Sequence, residues 1–305
     1  MSMEMGKFVQ KSEPKFEIFE SNFKLMINDN SQLMILYSGA EWSEGPVFIK
    51  NRNMVVWSDI PNDRMLSWTP KAGVEIFRSP SGYSNGNFLD LQGQLLTCEH
   101  GNRRISRTNK NGEVVTIVDN FNGKKLNSPN DLVVKSDGSI WFTDPPYGIL
   151  SDKEGHKSDS ELEGNFVFRY DPIVDKLTLI SDDFDKPNGI AFSPDEKLLY
   201  IADSGNPKNI RVFNVSEDGE SINKGRVFAE ISPGVPDGFR VDTDGNVFTS
   251  ASDGIQVFTP SGVMLGKILV PERTANCAFG GKNRETLFIT ASTSLYSIAM
   301  NAKGA

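Results

Sequence analysis

One pattern recurs along this chain and constrains its fold more than any other feature. Residues 187–203 show it: Asn188 and Gly189, a short apolar run (Ile190, Ala191, Phe192), a Ser193-Pro194-Asp195-Glu196 turn, and a second apolar run ending at Asp203. Apolar runs rich in β formers, separated by Ser, Pro and Asp, predict a β-hairpin. Its entrance carries a carboxamide and its exit a carboxylate. Related units begin at Glu44, Asn85, Asn130, Asp237 and Asn276, giving spacings of 41, 45, 58, 49 and 39 residues. Each interval leaves room for two more strands, such as 210–215 and 226–231 after Asp203. Six units of four antiparallel strands, each of about 45 residues, predict an all-β chain folded as a six-bladed β-propeller.

The sixth unit has a third strand at 294–299 and no fourth. An orphan strand at 32–37 precedes the first unit and is expected to close the last blade, which removes an open edge. The chain therefore divides into an N-terminal extension, 1–30, that packs on the ring, and a single propeller, 31–305. Within the extension, 16–26 reads as a short amphipathic packing segment. The longest interval contains a polar insertion in blade 3, 148–164. It reads as a surface loop or as a lid, because it leaves from the face on which the lead residues lie.

A formal charge of -8 and the lack of a basic stripe argue against nucleic acid. No apolar run approaches the roughly 20 residues of a membrane span, and residues 1–20 hold no signal-peptide core. Cys98 and Cys277 form no Cys-x-x-Cys spacing and read as free thiols on apolar strands, which favours a reduced, cytoplasmic location. Nothing in the sequence fixes an oligomeric state.

The first strand of each propeller blade lines the central channel. The six lead residues therefore form a ring of oxygen side chains: one Glu, one Asp and four Asn. Hard oxygen ligands of mixed carboxylate and amide type suit Ca²⁺, whereas Zn²⁺ would call for His or Cys. Two carboxylates match a divalent charge. For any one unit, Asn-Gly or Asp-Gly is also an ordinary turn dipeptide. The ring position alone does not say which members touch metal.

Several passages carry a further resemblance: Ala40–Pro46 (AEWSEGP), 57–64 (WSDIPNDR), 83–87 (YSNGN), 98–104 (CEHGNRR), 128–131 (SPND) and 141–148 (WFTDPPYG). Together they resemble the gluconolactonase, regucalcin and luciferin-regenerating-enzyme-like calcium propellers, nearest to the bacterial gluconolactonases, over nearly the whole chain. The resemblance implies metal ligation by Glu44, Asn188 and Asp237, with Asn130 on metal or substrate. It implies hydrolysis of a sugar lactone such as glucono-1,5-lactone, with Ca²⁺ (Zn²⁺ or Mg²⁺ as alternatives) as Lewis acid. Asp237 would remove a proton from water or attack directly. The regucalcin-like members carry Arg two places before the third-blade Asn for sugar contact; Ser128 stands here. Asn85, His100, Arg103, Tyr147 and Asp203 are expected around the substrate, with His100 as proton shuttle or hydrogen-bond donor.

Three other readings compete. Gly82-Tyr83-Ser84-Asn85-Gly86 matches the serine-hydrolase elbow but lacks its strand-before, helix-after context. Asp242-Thr243-Asp244-Gly245 starts like an EF-hand loop but has no helix and no Glu at position twelve, so it reads as a hairpin turn. A non-catalytic calcium- or partner-binding propeller, or a hydrolase for another lactone or an organophosphate, fits the same fold.

Overall fold

The computed structural model describes residues 9–305. Residues 1–8 of the expected extension lie outside them. Six small antiparallel sheets surround a central channel as a six-bladed β-propeller. Blade 1 runs Ser43–Ile49, Met54–Asp59, Arg64–Thr69, Gly73–Arg78 from channel to rim. Blades 2 to 4 repeat the order, starting at Ser84–Leu89, Leu132–Val134 and Pro187–Phe192. Blades 5 and 6 start at Phe239–Val241 and Thr274–Gly280.

Strand alternation explains how the sheets stack. Successive side chains point to opposite faces of a strand. In blade 1, Val55 and Trp57 pack toward blade 6, against Leu36 and Phe288, while Met54 and Val56 pack toward blade 2, against Leu95. A blade is covered on both faces, so its inner strands read as continuous apolar runs rather than as an alternation. Each of the six blade interfaces holds one such apolar cluster. Cys98 and Cys277 lie in two of these clusters as buried free thiols.

Leu33–Ser38 pairs with Ser294–Ala299 and completes blade 6. The preceding chain adds more than packing. Gln10–Ser12 pairs outside Leu33–Ser38, and Lys15–Ile18 pairs with Met264–Leu269, so blades 5 and 6 each have five strands. The short helix Phe23–Met26 then buries Phe23 and Met26 between these blades. At the other end, Ala305 N donates to Val241 O (3.1 Å). Among the described residues no helix is long and apolar enough to cross a membrane.

If the closing strand holds the ring, Leu36→Ala should cost about 2–5 kcal/mol, because Leu36 is 3% exposed in the blade 6–blade 1 cluster. Leu25→Ala, at a side chain 74% exposed, should stay within about 0.5 kcal/mol. Urea unfolding reads both. Equal, small losses would mean that closure lies elsewhere.

Candidate active site

The lead residues meet in the channel as a hydrogen-bonded rosette. Gly86 N donates to Asn130 O (2.8 Å), Gly189 N to Asp237 O (3.1 Å) and Gly238 N to Ala275 O (2.7 Å), each bond crossing to the next blade. Ser58 Oγ donates to Asn85 O and Thr143 Oγ1 to Asn188 O, both at 2.7 Å. This contact, not a turn, explains the glycines. None of the six lead residues has a left-handed φ, and of the glycines that follow them only Gly45 does. A Cβ on Gly189 would stand 2.4 Å from Asp237 O, and one on Gly238 1.9 Å from the Asn276 side chain. The Asp237 backbone at Gly189 and the Asn276 side chain at Gly238 stand too close for a side chain there.

Glu44, Asn85, Asn130, Asn188 and Asn276 are buried, and Asp237 stays partly open. Glu44 Oε2 accepts from Gly45 N (2.7 Å). Burial, and next the Asp237 charge, push the Glu44 carboxyl well above its usual range. Burial raises Asp237 from 3.8 to about 7, against the opposing pull of Arg273 and a hydrogen bond from Asn188. Among the described residues, no hydrogen bond engages the Asn130 side chain, and no three His, Cys, Asp or Glu side chains converge as metal ligands. An ion here must therefore use amide oxygens beside the two carboxylates. Asn130 brings to the same ring an amide with no hydrogen-bond partner among the described residues, and amide and carboxylate oxygens together suit a hard divalent cation.

His100 is buried, and both of its ring nitrogens are engaged. Nδ1 lies 3.2 Å from Glu154 O and Nε2 3.2 Å from Asn85 Nδ2. A carbonyl only accepts, so Nδ1 carries the proton and Nε2 accepts from the Asn85 amide. Burial lowers the imidazole to about 4, so it is neutral at pH 7. His100 therefore accepts from the Asn85 amide through Nε2 and holds that side chain in place. The Tyr147 hydroxyl reaches Asn188 and Ser204, and burial followed by the Asp237 charge raises its pKa.

Two expected rim residues serve the frame. Asp203 accepts from Asp185 N, Lys186 N and Gly205 N (2.9, 2.9 and 3.0 Å), so its carboxylate is committed to backbone. Arg103 donates through Nε to Leu126 O (2.6 Å) and through Nη1 to Ser158 Oγ (3.3 Å), which clamps the insertion. The insertion begins with the helix Tyr147–Leu150 and folds back over the channel side. Lys153 pairs with Glu41 of blade 1 (3.1 Å), and His156 packs edge-on against Tyr83 of blade 2. Ser128 Oγ donates to Pro145 O (2.6 Å) and accepts from Gly148 N (2.9 Å). A Cβ on Gly148 would already stand 2.8 Å from Ser128 Cβ. The insertion thus fills the space that an arginine at this position would need.

The two decoys resolve as well. Ser84 opens the first strand of blade 2 and pairs with Glu99, with no helix following. Asp242 Oδ1 accepts from Asp244 N and Asn246 N, a hairpin turn. Sequence reasoning missed Glu154 and the Asp131–Arg240 pair. Half of the pair had a signal: Arg240 is a charged residue in the otherwise apolar first strand Phe239–Val241.

Residues 42–293 match the family described as SMP-30/Gluconolactonase/LRE-like region. A gluconolactonase of Zymomonas mobilis is 35% identical over 95% of this chain and 87% of its own length. A solved gluconolactonase from Xanthomonas campestris is 37% identical, with TM-score 0.89, covering 95% of each chain. A calcium-binding regucalcin from Agrobacterium tumefaciens shares the fold at 17% identity and TM-score 0.75, over 89% of this chain and 94% of that one. The chain belongs to the SMP-30/gluconolactonase/LRE-like family.

Proposed function

We propose that this chain hydrolyses sugar lactones, glucono-1,5-lactone or a related aldonolactone, to the aldonic acid, with a divalent cation held by Glu44, Asn130, Asn188 and Asp237. Ca²⁺ is the first choice for such an oxygen set, with Zn²⁺ or Mg²⁺ as substitutes. The observation that carries the reading is the meeting of Glu44 and Asp237 in one ring, where each acid lies above its usual range and the Asp237 charge helps to raise Glu44, with the Asn130 and Asn188 amides at neighbouring lead positions. The identity to gluconolactonases over nearly the whole chain supports the substrate class.

When bound, the cation supplies a Lewis acid for the lactone carbonyl. Asp237 takes the proton of the attacking water. Burial brings its pKa toward neutrality, where a carboxylate is an effective base, and a cation's charge pulls it back down. Tyr147 stays protonated and offers a hydroxyl donor beside Asp237. The Asn85 oxygen, oriented by His100, accepts from a sugar hydroxyl. The insertion keeps bulk water from this side of the channel.

Purified protein with Ca²⁺ should hydrolyse glucono-1,5-lactone well above the spontaneous rate. Asp237→Ala should lower that rate at least about 100-fold while circular dichroism stays unchanged. No enzymatic rate on a panel of aldonolactones, with cation uptake intact, would leave a binding propeller instead.

Stability should also report the ion. Asp237 titrates near 3.8 when unfolded and near 7 in the ion-free fold. A raised acid stabilises the fold below the unfolded value and loses that contribution as pH rises through the folded one. In chelator this part of the stability should therefore decline from about pH 4 to about pH 7. A bound cation removes the loss, so the Tm gained on adding Ca²⁺ should be larger at pH 8 than at pH 5. Equal gains at both pH values would separate the ion from these carboxyls.

A further inference from the structure

Beneath the lead residues, the channel wall carries two opposite charges. Asp131 follows Asn130 at the start of blade 3, and Arg240 lies in the first strand of blade 5. Three or four places after their own lead residues, where blade 5 has Arg240, blades 1, 2, 4 and 6 carry Phe48, Phe88, Phe192 and Phe279. Arg240 Nη1 donates to Asp131 Oδ2 (3.2 Å) and to Phe239 O (2.7 Å). The two side chains are 2% and 12% exposed. Asp131 Oδ1 accepts from Leu132 N (2.9 Å), and Asn276 Nδ2 of blade 6 stands 3.5 Å from Oδ2.

The pair is oriented along the channel. Arg240 lines a cavity of about 670 Å³ at the end away from the insertion, walled by Val47, Phe48, Val133 and Phe192; Asp131 does not line it. Asp131 instead adjoins the ring: it follows Asn130 in the chain, and its Oδ2 stands within 3.5 Å of Nδ2 of the lead residue Asn276. Among the described residues Asp131 forms no three-carboxylate ligand cluster with Glu44 and Asp237, so it acts through its field and not by coordination.

We propose that the Asp131–Arg240 pair sets the charge of the cation site, with Asp131 as the near, attracting end and Arg240 as the distant end that cancels it. This rests on the reading of the Glu44, Asn130, Asn188 and Asp237 set as a divalent-cation site. Glu44 and Asp237 supply two negative charges, and the pair adds none in sum. The site therefore matches a divalent ion, while its field still points the right way. Without Arg240 three buried carboxylates would face the ion; without Asp131 a buried cation would lie beneath it. A buried ion pair is costly compared with apolar packing, so its retention here calls for a role such as this one.

The alternative is a strut tying blade 3 to blade 5, and the two roles differ in sign. Ca²⁺ affinity is measured by calorimetry on the whole chain, with melting in chelator as the fold control. Asp131→Asn should weaken binding at least tenfold, and Arg240→Met should tighten it at least tenfold. Arg240→Met should also shift preference toward the trivalent probe Tb³⁺. A strut predicts weakening by both substitutions. If Arg240→Met does not fold, the same step is taken in the Asp131→Asn background, where no buried carboxylate is left unpaired. There Arg240→Met must again tighten binding. Shifts in the same direction, or changes within threefold for both, overturn the proposal while leaving the cation site standing. No Ca²⁺ uptake by the unsubstituted protein overturns the cation reading and this proposal together.

Discussion

Two carboxyl groups, the buried Glu44 and the partly open Asp237, share the channel, and burial pushes both above their usual range although Arg273 pulls on Asp237. A buried ionised acid is costly unless paired, so such a channel must hold protons or a cation. The neighbours fit that condition. Asn85, Asn130, Asn188 and Asn276 bring oxygen without charge. A third acid at any of these positions would add repulsion. Where a third acid does occur, at Asp131, a guanidinium accompanies it.

The same residue type does different work a few ångströms away. Asp59, Glu99 and Asp203 end the second strands of their blades, fully enclosed. Asp59 accepts from Glu41 N (2.9 Å) and pairs with Arg64 (2.8 Å), and Glu99 pairs with Arg78 and Arg104 (3.3 and 2.8 Å). Nearby donors satisfy these oxygens and fix the loops that enter each blade, which in turn hold the lead residues at the channel. The strand-end acids Asp59, Glu99 and Asp203 each hold several donors, whereas Glu44 has the Gly45 N–H and Asp237 an Asn188 hydrogen bond, and both channel acids are pushed above their usual range.

The insertion in blade 3 joins these two systems. It gives the Glu154 carbonyl to His100, whose Nε2 accepts from the Asn85 amide, and it follows directly on Tyr147, whose hydroxyl reaches Asn188. Its anchors reach blade 1 through Glu41 and blade 2 through Arg103 and Tyr83. The insertion is thus tied to blades 1 and 2 as well as to its own blade, and its first residue packs on Ser128.

The repeat of hairpin units was legible because it is local: alternation, turns and spacing lie within about 20 residues of each other. From it follow six blades, the ring of lead oxygens and the closing strand. The two extra outer strands were not legible, since Gln10–Ser12 and Lys15–Ile18 are short and polar and become strands only against edges already built. The sequence likewise listed every acid and amide of the site but not its state. Asp203 and Asp237 look alike as residues near Gly and Pro, yet one is saturated by backbone N–H groups and the other is not. The partners that decide this are remote: Glu154 is 54 residues from His100, and Arg240 is 109 from Asp131. Local sequence determined which groups stand in the ring. Only the closed tertiary structure decided which of them remain free, because hydrogen bonds between blades consume donors and acceptors that no single unit contains.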